Sequence, residues 1–251
     1  MRGPRKARAD QLLVDRGLAE SRTKAQALIF AGLVFCRDRR VEKPGEPLPA
    51  DAPLSLKGRD HPWVSRGGVK LAHALDHFEV SVAGKIALDI GAATGGFTEV
   101  LLERGARRVY AVDVGYGQLA LKLREDPRVI VLERQNARYL TRAEIPEPIA
   151  FLTVDASFIG LTTLLPVPLA LASPGAELVL LVKPQFEAGR EHVGKGGVVR
   201  DPLVQREACA RVARFLEENG WSVVGIVESP ILGPAGNREF LLYARAAVSC
   251  S

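Results

Sequence analysis

Four ionisable side chains in this sequence stand beside apolar stretches, where charged groups are uncommon. Asp155 and Lys183 each directly follow a short apolar run, Lys70 opens a helix-like segment, and Glu239 precedes the last apolar run. A charge at the end of a buried strand is costly unless it has a partner or a task. A lysine placed beside a carboxylate can remove a proton or orient a hydroxyl group. The structural alternative is two ion pairs at the ends of strands.

A second group of candidates surrounds a glycine-rich loop, GAATGG, that directly follows the apolar run 86–90. Glycines at this point allow the backbone to pass close to a ligand at the carboxyl end of a strand. Asp113 follows the next strand, 24 residues after Asp89. An acid in that place can accept hydrogen bonds from both hydroxyls of a ribose. The alternative is an ordinary tight turn in which the two acids cap helices or face solvent.

The loop is typical of S-adenosylmethionine sites rather than of nicotinamide dinucleotide sites, because its spacing does not match G-x-G-x-x-G. S-adenosylmethionine carries a carboxylate and an amine but no phosphate, and Asp89 could accept a hydrogen bond from the amine. Asn136 lies where an adenine-contacting residue is common in this fold, with a plain turn residue as the alternative. The candidate cofactor-binding residues are Asp89, Gly91, Ala92, Thr94, Gly95, Gly96, Phe97, Asp113, Val114, Asn136, Ala137 and Asp155.

Alternating strands and helices from Val80 onward must position these residues. The pattern predicts a doubly wound, Rossmann-like α/β domain with a mostly parallel sheet. Because parallel strands end at the same edge of a sheet, we expect Asp155, Lys183 and the glycine-rich loop to lie at that edge. The predicted strands cover 86–90, 109–113, 129–132, 149–154 and 178–182, with a closing pair at 222–227 and 240–244.

The beginning of the chain predicts a smaller, separate α+β unit. Ser21 can cap its second helix, and Gly32 is a typical stop signal for that helix. We therefore place this domain at 1–59 and the α/β domain at 67–251, with a linker at 60–66 between them. The predicted elements of the small unit are helices at 9–17 and 21–31, strands at 33–36 and 54–56, and turns at 37–40 and 44–45.

The net charge of +5 is spread unevenly over the chain. Residues 1–70 hold 15 Lys/Arg and 8 Asp/Glu, whereas the other 181 residues hold 19 and 21. Such asymmetry indicates a polyanionic partner for the basic part, although a well-solvated basic face is the alternative. No apolar run approaches the roughly 20 residues of a membrane span, and the three cysteines lack metal-ligand spacing. We expect a cytoplasmic protein without a metal or a membrane partner; the oligomeric state is not predicted.

The string ADQLLVDRGLAESRTKAQALIFAGLVFCRDRRV resembles the RNA-binding domain first seen in a small-subunit ribosomal protein, called the S-four domain. In that family the second helix and the following turn contact RNA. The resemblance therefore implies RNA contacts by Arg22, Lys24, Arg37, Arg39 and Arg40. Further basic candidates in the N-terminal arm and the linker are Arg5, Lys6, Arg8 and Arg66.

The rest of the chain resembles the TlyA or hemolysin-A family of ribosomal RNA methyltransferases. The matching strings are SRGGVKL, LDIGAATGGFTEVLL, VYAVDVGYGQLA, VDASFIGL, LVKPQFEAG, GKGGVVRDP and GNREF. They place Lys70, Asp155, Lys183 and Glu239 on the Lys-Asp-Lys-Glu tetrad of FtsJ-type ribose 2′-O-methyltransferases. The resemblance implies that an S-adenosylmethionine methyl group is transferred to a cytidine 2′-hydroxyl in ribosomal RNA.

These roles agree with the chemistry. A ribose hydroxyl is a poor nucleophile, so the enzyme must place it in line with the methyl group and remove its proton. We assign Lys183 as the base or hydroxyl-orienting group, Asp155 as its positioner, and Lys70 and Glu239 as organisers of that pair. Burial and Lys70 favour the neutral amine of Lys183, whereas both carboxylates favour the charged one, so the choice between its two roles stays open.

Three other functions remain to be weighed: a base methyltransferase, a non-catalytic ribosome-assembly factor and a membrane-active hemolysin. No cysteine lies near Asp155 or Lys183 in sequence, and Asp155-Ala156-Ser157-Phe158 replaces the Pro-Pro-aromatic loop of base-amine methyltransferases. A 2′-hydroxyl acceptor also requires RNA.

The short terminal arms favour RNA of the large ribosomal subunit alone as the substrate. The Gly-rich stretch 185–202 is interpreted as either a mobile lid over RNA or a plain surface loop.

Overall fold

The computed structural model describes residues 6–56 and 61–248, and the chain divides into two compact units between Pro62 and Trp63. The linker predicted at 60–66 spans this division. Its last residues pack within the second unit, where the Trp63 indole nitrogen donates to Glu103 at 2.7 Å. The backbone N–H of Val64 donates to Glu99 at 2.5 Å. Arg5, an RNA-binding candidate, lies outside the described residues.

The described residues of the first unit form two helices and five short strands around a small apolar core. Its buried centre includes Leu13, Ile29 and Val34. Strand β1 pairs antiparallel with β4, and a separate three-stranded antiparallel sheet has the order β3-β2-β5. The elements are β1 Lys6–Arg8, α1 Ala9–Asp15, α2 Arg22–Phe30, β2 Val34–Cys36, β3 Arg39–Arg40, β4 Pro47–Pro49 and β5 Leu54–Leu56.

The helix boundaries in this unit follow from local signals in the sequence. The Ser21 hydroxyl accepts a hydrogen bond from the Lys24 backbone N–H at 3.2 Å, which confirms the predicted cap of α2. Gly32 has a φ of 73°, the left-handed conformation expected after a helix end. The prediction that 37–40 form a turn was wrong in its second half, because Arg39–Arg40 pair with β2. A two-residue turn suffices to join paired strands.

The second unit alternates strands with helices. Its elements are α3 Gly67–His77, β6 Ile86–Ile90, α4 Gly96–Glu103, β7 Arg108–Asp113, α5 Leu121–Arg124, β8 Val129–Glu133, β9 Ile149–Val154, α6 Leu161–Leu164, α7 Pro166–Ala170, β10 Ala172–Val182, α8 Pro184–Glu187, α9 Pro202–Glu218, β11 Trp221–Glu228 and β12 Phe240–Ala246. All seven predicted strands are present. Strand β10 begins six residues earlier than predicted, because Ser173-Pro174-Gly175 reads as a turn in the sequence but continues the strand.

These strands form one sheet with the order β11-β12-β10-β9-β6-β7-β8. Strands β10, β9, β6, β7 and β8 run parallel, while β12 is antiparallel to both of its neighbours. The chain moves outward from β6 to β8 and then returns to the other side of β6 with β9. This reversal leaves a crevice at the carboxyl ends of β6 and β9, which is where ligands bind in open α/β sheets.

Apolar side chains cover both faces of this sheet. Along β9, Leu152 packs into one core cluster and Phe151 into the other; Leu180 and Leu181 of β10 alternate in the same way. A parallel sheet buried on both faces needs nearly continuous apolar runs rather than alternating ones. The core therefore explains why the strands were recognisable in the sequence and why a charge at their ends stands out.

Candidate active site

The strand register brings three of the four candidate catalytic residues to one edge of the sheet. Leu180 lies beside Val154 in the parallel pair β9–β10, and Val182 lies opposite Phe240 in the antiparallel pair β10–β12. Asp155, Lys183 and Glu239 are the residues immediately beyond these pairings. Strand pairing therefore places the backbones of Asp155, Lys183 and Glu239 at neighbouring positions.

Lys183 is paired with Asp155. The lysine Nζ lies 2.6 Å from Asp155 Oδ1 and donates a hydrogen bond to the Ser157 hydroxyl at 2.8 Å. The Lys183 side chain keeps only 9% of its accessible surface, and that of Asp155 keeps 22%. A lysine this buried needs strong partners, because burial without them disfavours the ammonium group. The sequence analysis had not singled out Ser157, because a serine in a loop carries no distinguishing pattern.

Lys70 is paired with Glu239, inside the protein. Its Nζ lies 2.5 Å from Glu239 Oε2, and the Glu239 side chain is fully buried. The second carboxylate oxygen of Glu239 is also buried and accepts no hydrogen bond from the described residues. Gly233 packs directly against this carboxylate, where a Cβ would collide with it. The four predicted catalytic residues therefore form two ion pairs.

A cavity of about 410 Å³ opens at the carboxyl ends of β6, β7, β8 and β9. This volume lies in the range of small-molecule and cofactor sites. Six of the predicted cofactor residues contribute to its wall: Gly91, Asp113, Val114, Asn136, Ala137 and Asp155. The other wall residues are Ile90, Ala93, Val112, Gln118, Gln135, Ala156, Ser157, Phe158, Ile159 and Leu164.

Two polar groups fix the geometry of the cavity wall. Asp113 accepts hydrogen bonds from the Ala93 N–H at 2.8 Å and from the Gly115 N–H at 2.7 Å, one on each carboxylate oxygen. Each oxygen keeps a further lone pair that a ribose hydroxyl can use. Asn136 accepts from the Arg138 N–H at 3.1 Å, so its side chain is held in the turn after β8.

Gly91 allows the loop after β6 to approach the loop after β9. It has a φ of 80°, and a Cβ there would lie 2.5 Å from the Asp155 carbonyl oxygen. Any other residue would be strained by this conformation and would push the two loops apart. This glycine therefore lets two loops of the protein meet; the predicted close approach to a ligand stays a prediction.

The remaining predicted cofactor residues do not line the cavity, because the loop turns away from it into α4. Phe97 and Ala92 are buried in the core, and Gly95 packs against Leu119 and Leu123. The residues placed behind or beside the cavity in this way are Asp89, Ala92, Thr94, Gly95, Gly96 and Phe97. These six residues belong to the glycine-rich loop and its surroundings and do not line the cavity wall.

Asp89 lies behind the cavity wall and is fully buried. Its carboxyl group accepts hydrogen bonds from the Thr98 hydroxyl at 2.6 Å and the Thr153 hydroxyl at 3.1 Å. Burial raises the pKa of Asp89 to about 7, against the opposing effect of these two hydroxyls. These hydrogen bonds tie β6 to α4 and β9; the predicted contact of Asp89 with the cofactor's amine stays a prediction.

Asp89→Asn should change how stability depends on pH. Because the pKa of Asp89 is raised on folding to about 7, from about 3.9 in an unfolded chain, its stabilisation is lost as pH rises through this interval. Between about pH 5 and about pH 8, the wild type should lose about 2 to 3 kcal/mol relative to the variant. Unfolding of both proteins at the two pH values measures this difference. An equal difference at both values would contradict a raised pKa.

Several predicted RNA-binding residues of the first unit carry internal ion pairs. Arg8 donates two hydrogen bonds to Asp10 at 2.9 Å, and Arg22 lies 3.1 Å from the same carboxylate. Asp10 is fully buried and also accepts from Gln26 at 3.0 Å. The Arg8 guanidinium holds the pKa of Asp10 well below its usual range, because it hydrogen-bonds the charged form. Asp10 thus fixes both arginines at the surface.

The other basic candidates differ in their partners. Arg39 pairs with Glu46, and Arg40 lies 3.8 Å from Glu42. Arg66 belongs to the second unit and donates to the Leu232 carbonyl at 3.3 Å. Exposed candidates with no ion pair in the described part of the chain are Lys6, Lys24 and Arg37.

Buried contacts anchor the Gly-rich stretch 185–202 to the second unit. The Asn237 side chain accepts from the Val199 N–H at 3.1 Å and donates to the Gly197 carbonyl at 2.9 Å. Gln205 donates to the Val199 carbonyl at 2.8 Å. Of the two interpretations of this stretch, these anchors favour a fixed loop over a mobile lid.

Within residues 6–56 and 61–248, no group of His, Cys, Asp and Glu side chains is arranged to hold a metal ion. In the same residues no helix is long and apolar enough to cross a membrane. Cys209 is buried in α9, and burial raises the pKa of its thiol to about 12.

Comparison with known families divides the chain in two. Residues 63–246 match the FtsJ-like methyltransferase family, and residues 7–52 match the S4 domain. The 16S/23S rRNA (cytidine-2′-O)-methyltransferase TlyA of Mycobacterium tuberculosis is 50% identical over 242 residues, covering 96% of this chain and 90% of that protein. The 23S rRNA (cytidine-2′-O)-methyltransferase TlyA of Campylobacter jejuni is 36% identical over 182 residues, covering 72% of this chain and 70% of that protein.

A solved structure of a protein described as a hemolysin, from Streptococcus thermophilus, is similar over nearly the whole chain. It shares 44% sequence identity and a TM-score of 0.76, covering 97% of this chain and 89% of that one. The likeness therefore extends over both units, from the small α+β unit to the seven-stranded sheet.

Proposed function

The chain belongs to the FtsJ-like methyltransferase family, and we propose that it transfers a methyl group from S-adenosylmethionine to a cytidine ribose 2′-hydroxyl in ribosomal RNA. The activities for which the relatives from Mycobacterium tuberculosis and Campylobacter jejuni are named support this acceptor. The S4 domain match supports RNA as the partner of the first unit. An RNA-modifying role also supports the expected cytoplasmic location.

One observation carries the proposal: Asp155 belongs to the cavity wall and to the Lys183 ion pair at the same time. A methyl-transfer enzyme must hold the methyl donor next to the group that handles the acceptor's proton. Asp155 is relevant to both requirements, because it lines the cavity and also contacts Lys183. Structural ion pairs at strand ends would not need a cavity beside them.

The residues of the cavity fit S-adenosylmethionine. Asp113 offers carboxylate oxygens to the two ribose hydroxyls, and Asn136 lies at the wall where the adenine would be held. Apolar side chains such as Ile159 and Leu164 can cover the faces of the adenine ring. Gly91 and Asp155 both belong to the wall, where the missing side chain of Gly91 lets the two loops meet. When bound, this cofactor supplies an electrophilic methyl group on a positively charged sulfur.

The chain's own residues handle the acceptor. Lys183 lies directly behind the cavity wall, because its amine contacts two wall residues, Asp155 and Ser157. Asp155 holds the lysine amine in place, and we propose that the amine accepts the 2′-hydroxyl proton or orients that hydroxyl. The Lys70–Glu239 pair supports this arrangement from within the protein, next to the strand that carries Lys183.

RNA binding by the first unit is proposed for the predicted basic residues, with Arg8 and Arg22 held by Asp10. Domain boundaries at 1–59, 60–66 and 67–251 remain our proposal. For the acceptor we propose the large subunit. The two relatives differ on this point, because one is named for both ribosomal RNAs and the other for 23S RNA only.

The test is methyl transfer from labelled S-adenosylmethionine to purified small subunits, large subunits and free ribosomal RNA that lack the modification. We expect label in RNA from the large subunit, released by complete digestion as 2′-O-methylcytidine. Label in a methylated base would overturn the ribose assignment. Label in small-subunit RNA as well would overturn only the restriction to the large subunit. No transfer to any of the three would contradict the proposed function.

A further inference from the structure

Ser157 stands between the cavity and the proposed proton-handling lysine. It is exposed, belongs to the cavity wall and follows Asp155 by two residues. Its hydroxyl oxygen lies 2.8 Å from Lys183 Nζ, on the amine that Asp155 also contacts. No role had been assigned to this residue.

The tetrahedral geometry of the Lys183 amine explains what the contact with Ser157 adds to the ion pair with Asp155. Nζ is tetrahedral, with one bond to the side chain and three remaining positions for N–H bonds or a lone pair. The Asp155 carboxylate lies 2.6 Å from Nζ, but its Oδ1 makes no hydrogen bond with the described residues, so the ion pair places the amine without fixing the rotation of its N–H bonds. The hydrogen bond to the Ser157 hydroxyl fixes that rotation by holding one of the three positions. A remaining position can then be directed at a hydroxyl acceptor, whether it holds a lone pair or an N–H bond.

The loop that carries Ser157 is tied to the segment that carries Lys183. The Leu161 N–H, at the end of this loop, donates to the Glu187 carboxylate at 2.8 Å. Glu187 lies in α8, which begins directly after Lys183, and its side chain is buried. This contact fixes the far end of the loop relative to α8.

A ring contact links the same loop to α8 closer to the serine. The Phe158 ring lies 5.2 Å from that of Phe186, measured between centroids, although the Phe158 side chain is 91% exposed. Phe158 also has a φ of 67°, which is uncommon for a bulky residue. The buried Leu161–Glu187 hydrogen bond is therefore the main tie between this loop and the segment that carries Lys183, and the ring contact adds to it.

We propose that Ser157 is a positioning residue for methyl transfer: it accepts a hydrogen bond from Lys183 and so directs another position of the amine at the 2′-oxygen. This inference rests on the proposed function. During transfer the 2′-oxygen forms a bond to the methyl carbon and the carbon–sulfur bond breaks, with its electron pair going to sulfur. In the base role of Lys183 the hydroxyl proton passes to Nζ, so the positive charge moves from sulfur to the amine; in the orienting role an N–H of Lys183 holds the 2′-oxygen in line and the proton leaves to solvent.

The test compares Ser157→Ala and Ser157→Thr with the wild type in steady-state methyl transfer. We expect Ser157→Ala to lower kcat by about 10- to 100-fold, the range for a misplaced catalytic group, with little change in KM for either substrate. Ser157→Thr keeps the hydroxyl and should recover most of the rate. Ser173→Ala is the matched control: its hydroxyl bonds the Ile149 carbonyl at the opposite end of the sheet, and its kcat should stay unchanged.

Three results would overturn the positioning role: an unchanged kcat in Ser157→Ala, a loss confined to KM for S-adenosylmethionine, or no recovery in Ser157→Thr. Melting temperatures of all variants show whether a loss arises from unfolding instead. Failure of the proposed function would be visible separately, because the wild type itself would then produce no 2′-O-methylcytidine.

Discussion

Lys183→Ala is expected to lower kcat for methyl transfer by about 10²- to 10⁴-fold, the usual contribution of a positioned proton-handling group. The amine is held by Asp155 and Ser157 next to the cavity, and within the described residues no second lysine or histidine shares these contacts. Binding of S-adenosylmethionine should change little, because Lys183 is not part of the cavity wall. Steady-state kinetics and calorimetric titration of the cofactor measure the two effects separately.

Lys183→Arg distinguishes the two roles left open for this residue. An arginine keeps the positive charge and can still pair with Asp155, but it cannot take a proton at any relevant pH. If Lys183 acts as the base, the arginine variant should be as inactive as the alanine variant. Recovery of activity with arginine would show instead that the cation orients the hydroxyl. Wild-type activity in Lys183→Ala would contradict both roles.

Glu239→Ala is expected to destabilise the second unit by about 3 to 5 kcal/mol. Glu239 is fully buried and lies 2.5 Å from Lys70, whose side chain keeps 9% of its surface. Removing the carboxylate leaves the ammonium group buried without a counter-charge, which is a large cost for a single substitution. Denaturant unfolding followed by tryptophan fluorescence measures it, since both tryptophans, Trp63 and Trp221, lie in this unit.

The matched control for this prediction removes both charges together. The double variant Lys70→Met with Glu239→Leu buries no unpaired charge, so its loss of stability should be clearly smaller than that of Glu239→Ala. Activity should be impaired in both. If the double variant is as unstable as the single one, the cost comes from lost packing around Gly233 rather than from an unpaired ammonium group.

The sequence predicted the sheet and the location of the candidate catalytic residues for the same physical reason. Strands buried on both faces require continuous apolar runs, so their ends are visible and the charges beside them are conspicuous. Parallel pairing then places Asp155 and Lys183 at one edge without any knowledge of tertiary contacts. The start of β10 was not predictable, because its irregular first turn resembles a loop in residue type.

Half of the predicted cofactor residues shape the loop instead of the cavity wall. A glycine-rich pattern identifies where the chain turns, but it does not reveal which side chains point back into the core; Asp89 and Phe97 do so. The apolar wall residues, such as Ile159 and Leu164, were missed because they look like ordinary core residues in sequence. The pairing of Arg22 with Asp10 was missed because it depends on how α1 and α2 pack.

The buried Asp10 has a consequence for how tightly the first unit binds a polyanion. Binding of nucleic acid releases condensed counterions, and the slope of log affinity against log salt counts the phosphates that protein cations neutralise. Arg8 and Arg22 share one internal negative charge, and Arg39 and Arg40 each face a glutamate. The slope should therefore reflect fewer phosphates than the number of arginines suggests. Affinity would then fall only gradually as the ionic strength rises.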